Sequence, residues 1–219
     1  MNVLLFGASG MVGQGVVREC LLDSDAERVL SIVRAPTGQG DPKLRELVHK
    51  DFFDFTAIEG ELSGYDACFF CVGVSSVGMK EADYRRVTYD ITLAAARLLA
   101  RINPAMTFVY VSGLGTDSSE HGRTMWARVK GKTENDLLRL PFKAAYMFRP
   151  GGIVPLHGVR SKTGFVQTTY TVLGPLLRLL YRLFPQYVTT TEQIGRAMLR
   201  AAKLGAPKSI LETSDINKL

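Results

Sequence analysis

The stretch Val3-Leu4-Leu5-Phe6-Gly7-Ala8-Ser9-Gly10-Met11-Val12-Gly13 decides how the chain is read. VLLF is a short apolar run of strand length, and it passes directly into GxxGxxG. Val12, Val16, Val17 and Leu21 then recur at helical spacing. Strand, glycine turn and apolar-faced helix together make a dinucleotide clamp: Gly7 for the tight turn, Gly10 for backbone approach to a pyrophosphate, Gly13 for close packing of helix on strand. The phosphates would rest on the amides at the helix start, from Ser9 through Gly10 and Met11 to Val12, where the helix dipole favours negative charge.

Outward from this unit, the chain alternates strand-like and helix-like segments. RVLSIV (28–33) reads as the second strand, 44–48 as a short third, YDACFFCV (65–72) as the fourth, MTFVYV (106–111) as the fifth and 144–148 as the sixth. Helices are expected over 81–101, 125–140 and 191–203, the last with Thr190 or Thr191 as N-cap, and 209–212 as a last edge strand. Such alternation predicts an α/β doubly wound Rossmann fold, with a mostly parallel sheet in the order 3-2-1-4-5-6, a seventh edge strand and a small C-terminal helical segment. The 219 residues suit one domain, with 154–188 as a substrate-side lid or small lobe.

Arg34 ends the second strand with no acid beside it. An acid there would hold the ribose 2′-hydroxyl of NAD, whereas a guanidinium pairs with the 2′-phosphate of NADP, so NADP(H) is expected over NAD(H). Gly73, after the fourth strand, leaves room for the nucleotide.

A net charge of +6 suits nucleic acid, an anionic membrane or a phosphorylated ligand. The basic residues are dispersed without an aromatic-interleaved stripe, which disfavours nucleic acid. The apolar run 172–184 (VLGPLLRLLYRLF) fits packing over the crevice better than contact with a membrane surface. Cys20, Cys68 and Cys71 form an odd set, and three residues' spacing puts Cys68 and Cys71 on opposite strand faces, so neither a redox pair nor a metal site is expected. The opening residues carry neither a basic region nor a cleavage site, and a cytoplasmic protein is expected.

GASGMVG at 7–13, Ser112 in VYVSG, Lys130 in WARVKGKTEN and RPGGIV at 149–154 together resemble the short-chain dehydrogenase/reductase superfamily. Within it they resemble the atypical epimerase/dehydratase-like branch that includes Tat-interacting-protein-like oxidoreductases. The resemblance implies an oxidoreductase or epimerase scaffold in which Ser112 holds a substrate oxygen and Lys130 contacts the nicotinamide ribose. It also places Asp51 and Phe52 near the adenine, Val72 and Gly73 at the adenosine-side strand end, and Pro150 and Gly151 on the cofactor. The family's catalytic tyrosine position holds Trp126, whose indole does not titrate and cannot replace it. None of the eight tyrosines has a lysine four residues on. Thr88 and Tyr89 stand where the family often has asparagine. Two functions are therefore expected: an enzyme working without the usual tyrosine, or an NADPH-sensing interaction protein. Substrate, oligomeric state and partner stay open.

Overall fold

Val3, Leu4, Leu5 and Phe6 are all fully buried, so the strand they form must be covered on both faces. In the computed structural model, which describes residues 1–159 and 184–219, it is. Strand β1 (Asn2–Phe6) lies at the centre of a seven-stranded sheet with β2 (Arg28–Val33), β3 (Leu44–Val48), β4 (Ala67–Phe70), β5 (Thr107–Val111) and β6 (Ala144–Arg149). A short pair, β7 (Gly152–Val154) and β8 (Val188–Thr190), stands apart, and β9 (Ile210–Glu212) returns to the main sheet. The order is β3-β2-β1-β4-β5-β6-β9, with every pairing parallel. This is the doubly wound order expected from the sequence, and β9 is the expected seventh edge strand.

Alternation along the strands sorts the core. Val3 and Leu5 join Val29, Phe69, Val109 and Phe148 on one face, under α1 (Met11–Leu22) and the later helix α5 (Thr191–Leu204). Leu4 and Phe6 join Leu30, Cys68, Phe70, Phe108 and Tyr110 on the other. That face is covered by α3 (Ile91–Ile102), by Leu137 of α4 (Met125–Leu138), and by Phe52 and Phe55. Cys68 and Cys71 fall on opposite faces, and all three cysteines are free.

The helix expected over 81–101 is instead α2 (Glu81–Arg85), a π turn (Arg86–Asp90) and α3. Strand β4 is shorter than the expected 65–72 at both ends, and just before it the Asp66 carboxylate accepts from the Asn2 amide at 2.7 Å. Thr190 is the N-cap of α5, its hydroxyl accepting from the Gln193 amide at 2.9 Å. A last short helix, α6 (Thr213–Ile216), follows β9. The apolar run 172–184, apart from Phe184, and the body of the proposed lid lie outside the described residues. Among the described residues, no helix is long and apolar enough to cross a membrane, and no cluster of side chains is suited to a metal ion.

Candidate active site

The glycine turn sits at the carboxyl end of β1. Gly7 has φ +86°, a left-handed backbone that L side chains rarely adopt, and a Cβ there would meet the Cys71 carbonyl carbon at 2.7 Å. Gly13 lies so close to the turn that its Cβ would fall 2.0 Å from the Gly7 oxygen. Gly10 differs: its Cβ would meet nothing nearer than that oxygen at 3.4 Å, so this side of the turn opens outward. The Gly10 amide itself closes the turn onto the Gly7 carbonyl at 2.9 Å. The first amides of α1, from Met11 through Gly13, precede any possible intrahelical acceptor. Gly10 supplies no side-chain cap, and the first turn holds no acid to occupy that end. An anion fits here, because backbone donors, helix dipole and open space coincide.

The end of the crevice expected to take the adenosine is bordered by strands β2, β3 and β4. Arg34 is exposed directly after β2, without an ion-pair or hydrogen-bond partner among the described residues. Asp51 is exposed and accepts from the Phe53 amide at 2.9 Å, turning the chain so that Phe52 packs edge-on against Phe6, their centroids 6.2 Å apart. Phe52 therefore forms the floor of this end from within the core. Half-buried Val72 and exposed Gly73 follow β4 and flank Gly7 through the Cys71–Val72 backbone.

At the other end, Ser112 leaves β5 beside β6, its amide bonded to the Phe148 carbonyl at 2.7 Å. Its hydroxyl is 3.0 Å from the Thr116 hydroxyl, which in turn donates to the Gly113 carbonyl at 2.8 Å. Since Thr116 has one proton and spends it on that carbonyl, Ser112 is the donor between the two hydroxyls. It faces the crevice with lone pairs, and must rotate away from Thr116 to donate to a substrate oxygen.

Lys130 projects from α4 toward Tyr110, with its Nζ 3.4 Å from the phenol oxygen and 5.2 Å from the ring centroid. Burial pulls this ammonium down to about 8, while the Glu134 carboxylate one turn on pulls it back up. Tyr110 is fully buried, and burial pushes its phenol well above the ordinary range, so it stays protonated at neutral pH and serves Lys130 as a packing neighbour.

Sequence reading missed Glu134. It is fully buried and receives Arg149, whose Nε lies 3.1 Å from both carboxylate oxygens. The same guanidinium reaches Glu212 at 3.4 Å and the Ser118 hydroxyl. Glu134 thus holds α4, and with it Lys130, against the end of β6. The signal was Lys130-x-x-x-Glu134, a helical turn apart.

Pro150 and Gly151 continue β6 into the crevice. The Pro150 carbonyl accepts from the Leu114 amide at 3.0 Å, and the Gly151 amide donates to Thr213 Oγ1 at 2.9 Å. Gly151 can therefore border a cofactor only as a surface without a side chain, since its donor is committed. Trp126 is half-buried near Gly115, and its Cη2 would be 3.6 Å from a Cβ there. Thr88 and Tyr89 lie in the π turn, both buried, with the Tyr89 hydroxyl donating to Asp136 at 2.6 Å.

Solved structures share this architecture. WbmF of Bordetella bronchiseptica, in complex with NAD+, superposes with a TM-score of 0.68 at 14% identity, over 99% of this chain and 76% of that one. A UDP-N-acetylglucosamine 4-epimerase from Methanobrevibacter ruminantium gives 0.69 at 13% identity, over 96% and 74%. At these identities the likeness is one of fold. Among curated proteins the chain is similar to "Protein FMP52, mitochondrial" of Debaryomyces hansenii, 26% identical over 92% of this chain and 88% of that protein. It is also similar to "Protein fmp52-2, mitochondrial" of Aspergillus oryzae, 28% identical over 98% and 95%. These names overturn the cytoplasmic expectation, since the relatives are named as mitochondrial proteins. The model of the NAD dependent epimerase/dehydratase family matches residues 3–123, more than half of the sequence, and the chain belongs to that family, with a nicotinamide dinucleotide as its class of cofactor.

Proposed function

We propose that the protein is an NADP(H)-dependent oxidoreductase of the epimerase/dehydratase type that reduces a carbonyl without the family's tyrosine. The observation that carries this reading is the pair formed by the open amide end of α1 at Gly10 and the unpartnered Arg34 guanidinium after β2. The first suits a pyrophosphate, the second a 2′-phosphate. NADPH, when bound, supplies hydride to the carbonyl carbon and leaves as NADP+. Gly10, Met11 and Val12 present backbone to the diphosphate, with Ser9 in the same turn. Asp51, Phe52, Val72 and Gly73 border the adenosine. Lys130 hydrogen-bonds the nicotinamide ribose, Pro150 and Gly151 border the nicotinamide end, and Ser112 rotates from Thr116 to hold the carbonyl oxygen. Because Trp126 cannot titrate, the proton for that oxygen comes from water, and turnover is slow by the roughly 10²–10⁴-fold that a positioned acid contributes.

A second reading, an NADPH-sensing interaction protein, is favoured by Trp126 together with the commitment of the Ser112 proton to Thr116. Calorimetric titration with NADPH and NADH, followed by NADPH oxidation with a carbonyl panel, tests both. Preference for NADPH plus activity lost in Ser112→Ala supports the enzyme. Tight binding with no turnover across the panel supports the sensor, and absence of binding by either nucleotide sinks both.

A further inference from the structure

Three loops leave the carboxyl edge of the sheet around Ser112, and none carries a charge: 72–79 after β4, 112–116 after β5 and 150–156 after β6. A fourth segment, 184–191, enters β8 and is uncharged as well. These segments instead expose large apolar side chains. Val77 is 88% exposed, Val74 47%, Leu114 44%, Phe184 45% and Tyr187 57%. Two of them meet at one point. A Cβ on Gly151 would meet the Tyr187 carbonyl at 2.3 Å and the Leu114 side chain at 3.2 Å, so Leu114 and Tyr187 flank one point at the end of β6. Trp126 stands beside Gly115, and it packs on the same small cluster of Tyr84, Tyr89, Leu93 and Val129 as Met79 from the β4 loop. The indole thus joins the rim at the position where the family has its tyrosine.

A substrate carrying a diphosphate needs cations beside its phosphates, because a buried or half-buried anion without a partner is costly. The four segments themselves carry none, Lys80 following the first of them and Lys130 being assigned to the ribose, while clustered apolar side chains beside a polar site mark where an apolar ligand is taken from water. We propose that the substrate is an uncharged carbonyl compound with an apolar chain, a ketone or aldehyde whose oxygen meets Ser112 and whose chain lies along Leu114, Val74 and Val77 under Trp126. The inference rests on the NADP(H)-dependent carbonyl chemistry proposed above and names the substrate class for that same site.

Trp126 is the one tryptophan of the chain, so its fluorescence reports this rim alone. The protein, with and without saturating NADP+, is titrated with 2-hexanone, 2-octanone, 2-decanone and UDP-glucose. NADP+ does not absorb Trp126 emission and cannot reduce the ketones. A saturable change is expected with the ketones, tightening about two- to fourfold per added methylene where the chain is buried, and none with UDP-glucose. Val77→Asp and Leu114→Asp, both at exposed positions that tolerate a charge, should weaken 2-decanone at least tenfold and leave NADP+ affinity unchanged. Saturation by UDP-glucose, affinity independent of chain length, or no saturable response to 2-decanone would each overturn the proposal. Loss of NADP+ binding in the unsubstituted protein would instead remove the cofactor reading, and the ketone titration without nucleotide still decides the rim.

Discussion

Two alanine substitutions three residues apart separate the fold of the glycine turn from its use. At Gly13 a Cβ would sit 2.0 Å from the Gly7 oxygen, 2.6 Å from the Gly7 carbon and 3.0 Å from the Ala8 Cα. All three are backbone atoms, so α1 must retreat by more than an ångström from β1. Overpacking of this kind costs about 1–3 kcal/mol or somewhat more, offset by roughly 1 kcal/mol of improved helix propensity. A net loss of about 2 kcal/mol lowers Tm by roughly 4–8 °C in a chain of this size. At Gly10 the nearest atom is 3.4 Å away and φ is −83°, which alanine adopts freely. Gly10→Ala should therefore keep the melting temperature within about 2 °C, close to the effect of a surface substitution. Its methyl group, however, occupies the opening through which a pyrophosphate would approach, and NADPH should weaken by tenfold or more, about 1.4 kcal/mol. Differential scanning calorimetry and titration calorimetry on both variants read these quantities. Wild-type NADPH affinity in Gly10→Ala would refute the placement of the diphosphate, and an unchanged Tm in Gly13→Ala would refute the close packing.

Further outcomes follow from charge. Arg34→Asp should weaken NADPH at least tenfold more than NADH, about 1.4 kcal/mol for one charge-assisted contact; equal losses for both would take Arg34 out of the phosphate site. Lys130 has a folded value of about 8, below the value of about 10.4 for the unfolded chain, so this group costs stability at neutral pH, and stability recovers as pH rises from 8 toward 10.4. Lys130→Met should raise Tm at pH 7 and flatten that rise, as read by thermal melting across pH. Glu134→Ala leaves the buried Arg149 with the Ser118 hydroxyl and the longer Glu212 contact, a loss of about 3 kcal/mol and a fall in Tm of roughly 6–12 °C by thermal melting.

The fold was legible because its signals are local. VLLF into GxxGxxG needs no tertiary information, and RVLSIV and 44–48 are bounded as expected, since apolar runs between turn residues have few alternatives. The π turn was not legible. Tyr84, Val87, Ile91, Ala94, Ala95 and Leu98 read as one unbroken helical face across it, whereas in the fold Tyr84, Tyr89 and Leu93 are the residues that pack with Val129 of α4. The Thr92 hydroxyl takes the Thr88 carbonyl at 2.5 Å inside that turn, a contact no periodicity announces. Glu134 was hidden for the opposite reason. A glutamate on a lysine-rich helix reads as solvated, and only the arrival of Arg149 from a distant strand makes it a core residue.

Trp126 ties these observations together. In a tyrosine-lysine pair the lysine must stay charged to stabilise a phenolate, which calls for a carboxylate or open solvent near it. Here the Glu134 oxygens are engaged by Arg149, and burial dominates Lys130, taking it to about 8. A lysine lowered by burial suits a donor to a neutral ribose, because an amine donates hydrogen bonds in either protonation state. Trp126 lies one helical turn before Lys130 and packs on the apolar cluster of Tyr84, Tyr89, Leu93 and Val129. Under the proposed carbonyl chemistry, Trp126 and the uncharged loops would then serve as an apolar wall beside Ser112, with water in place of a side-chain proton relay.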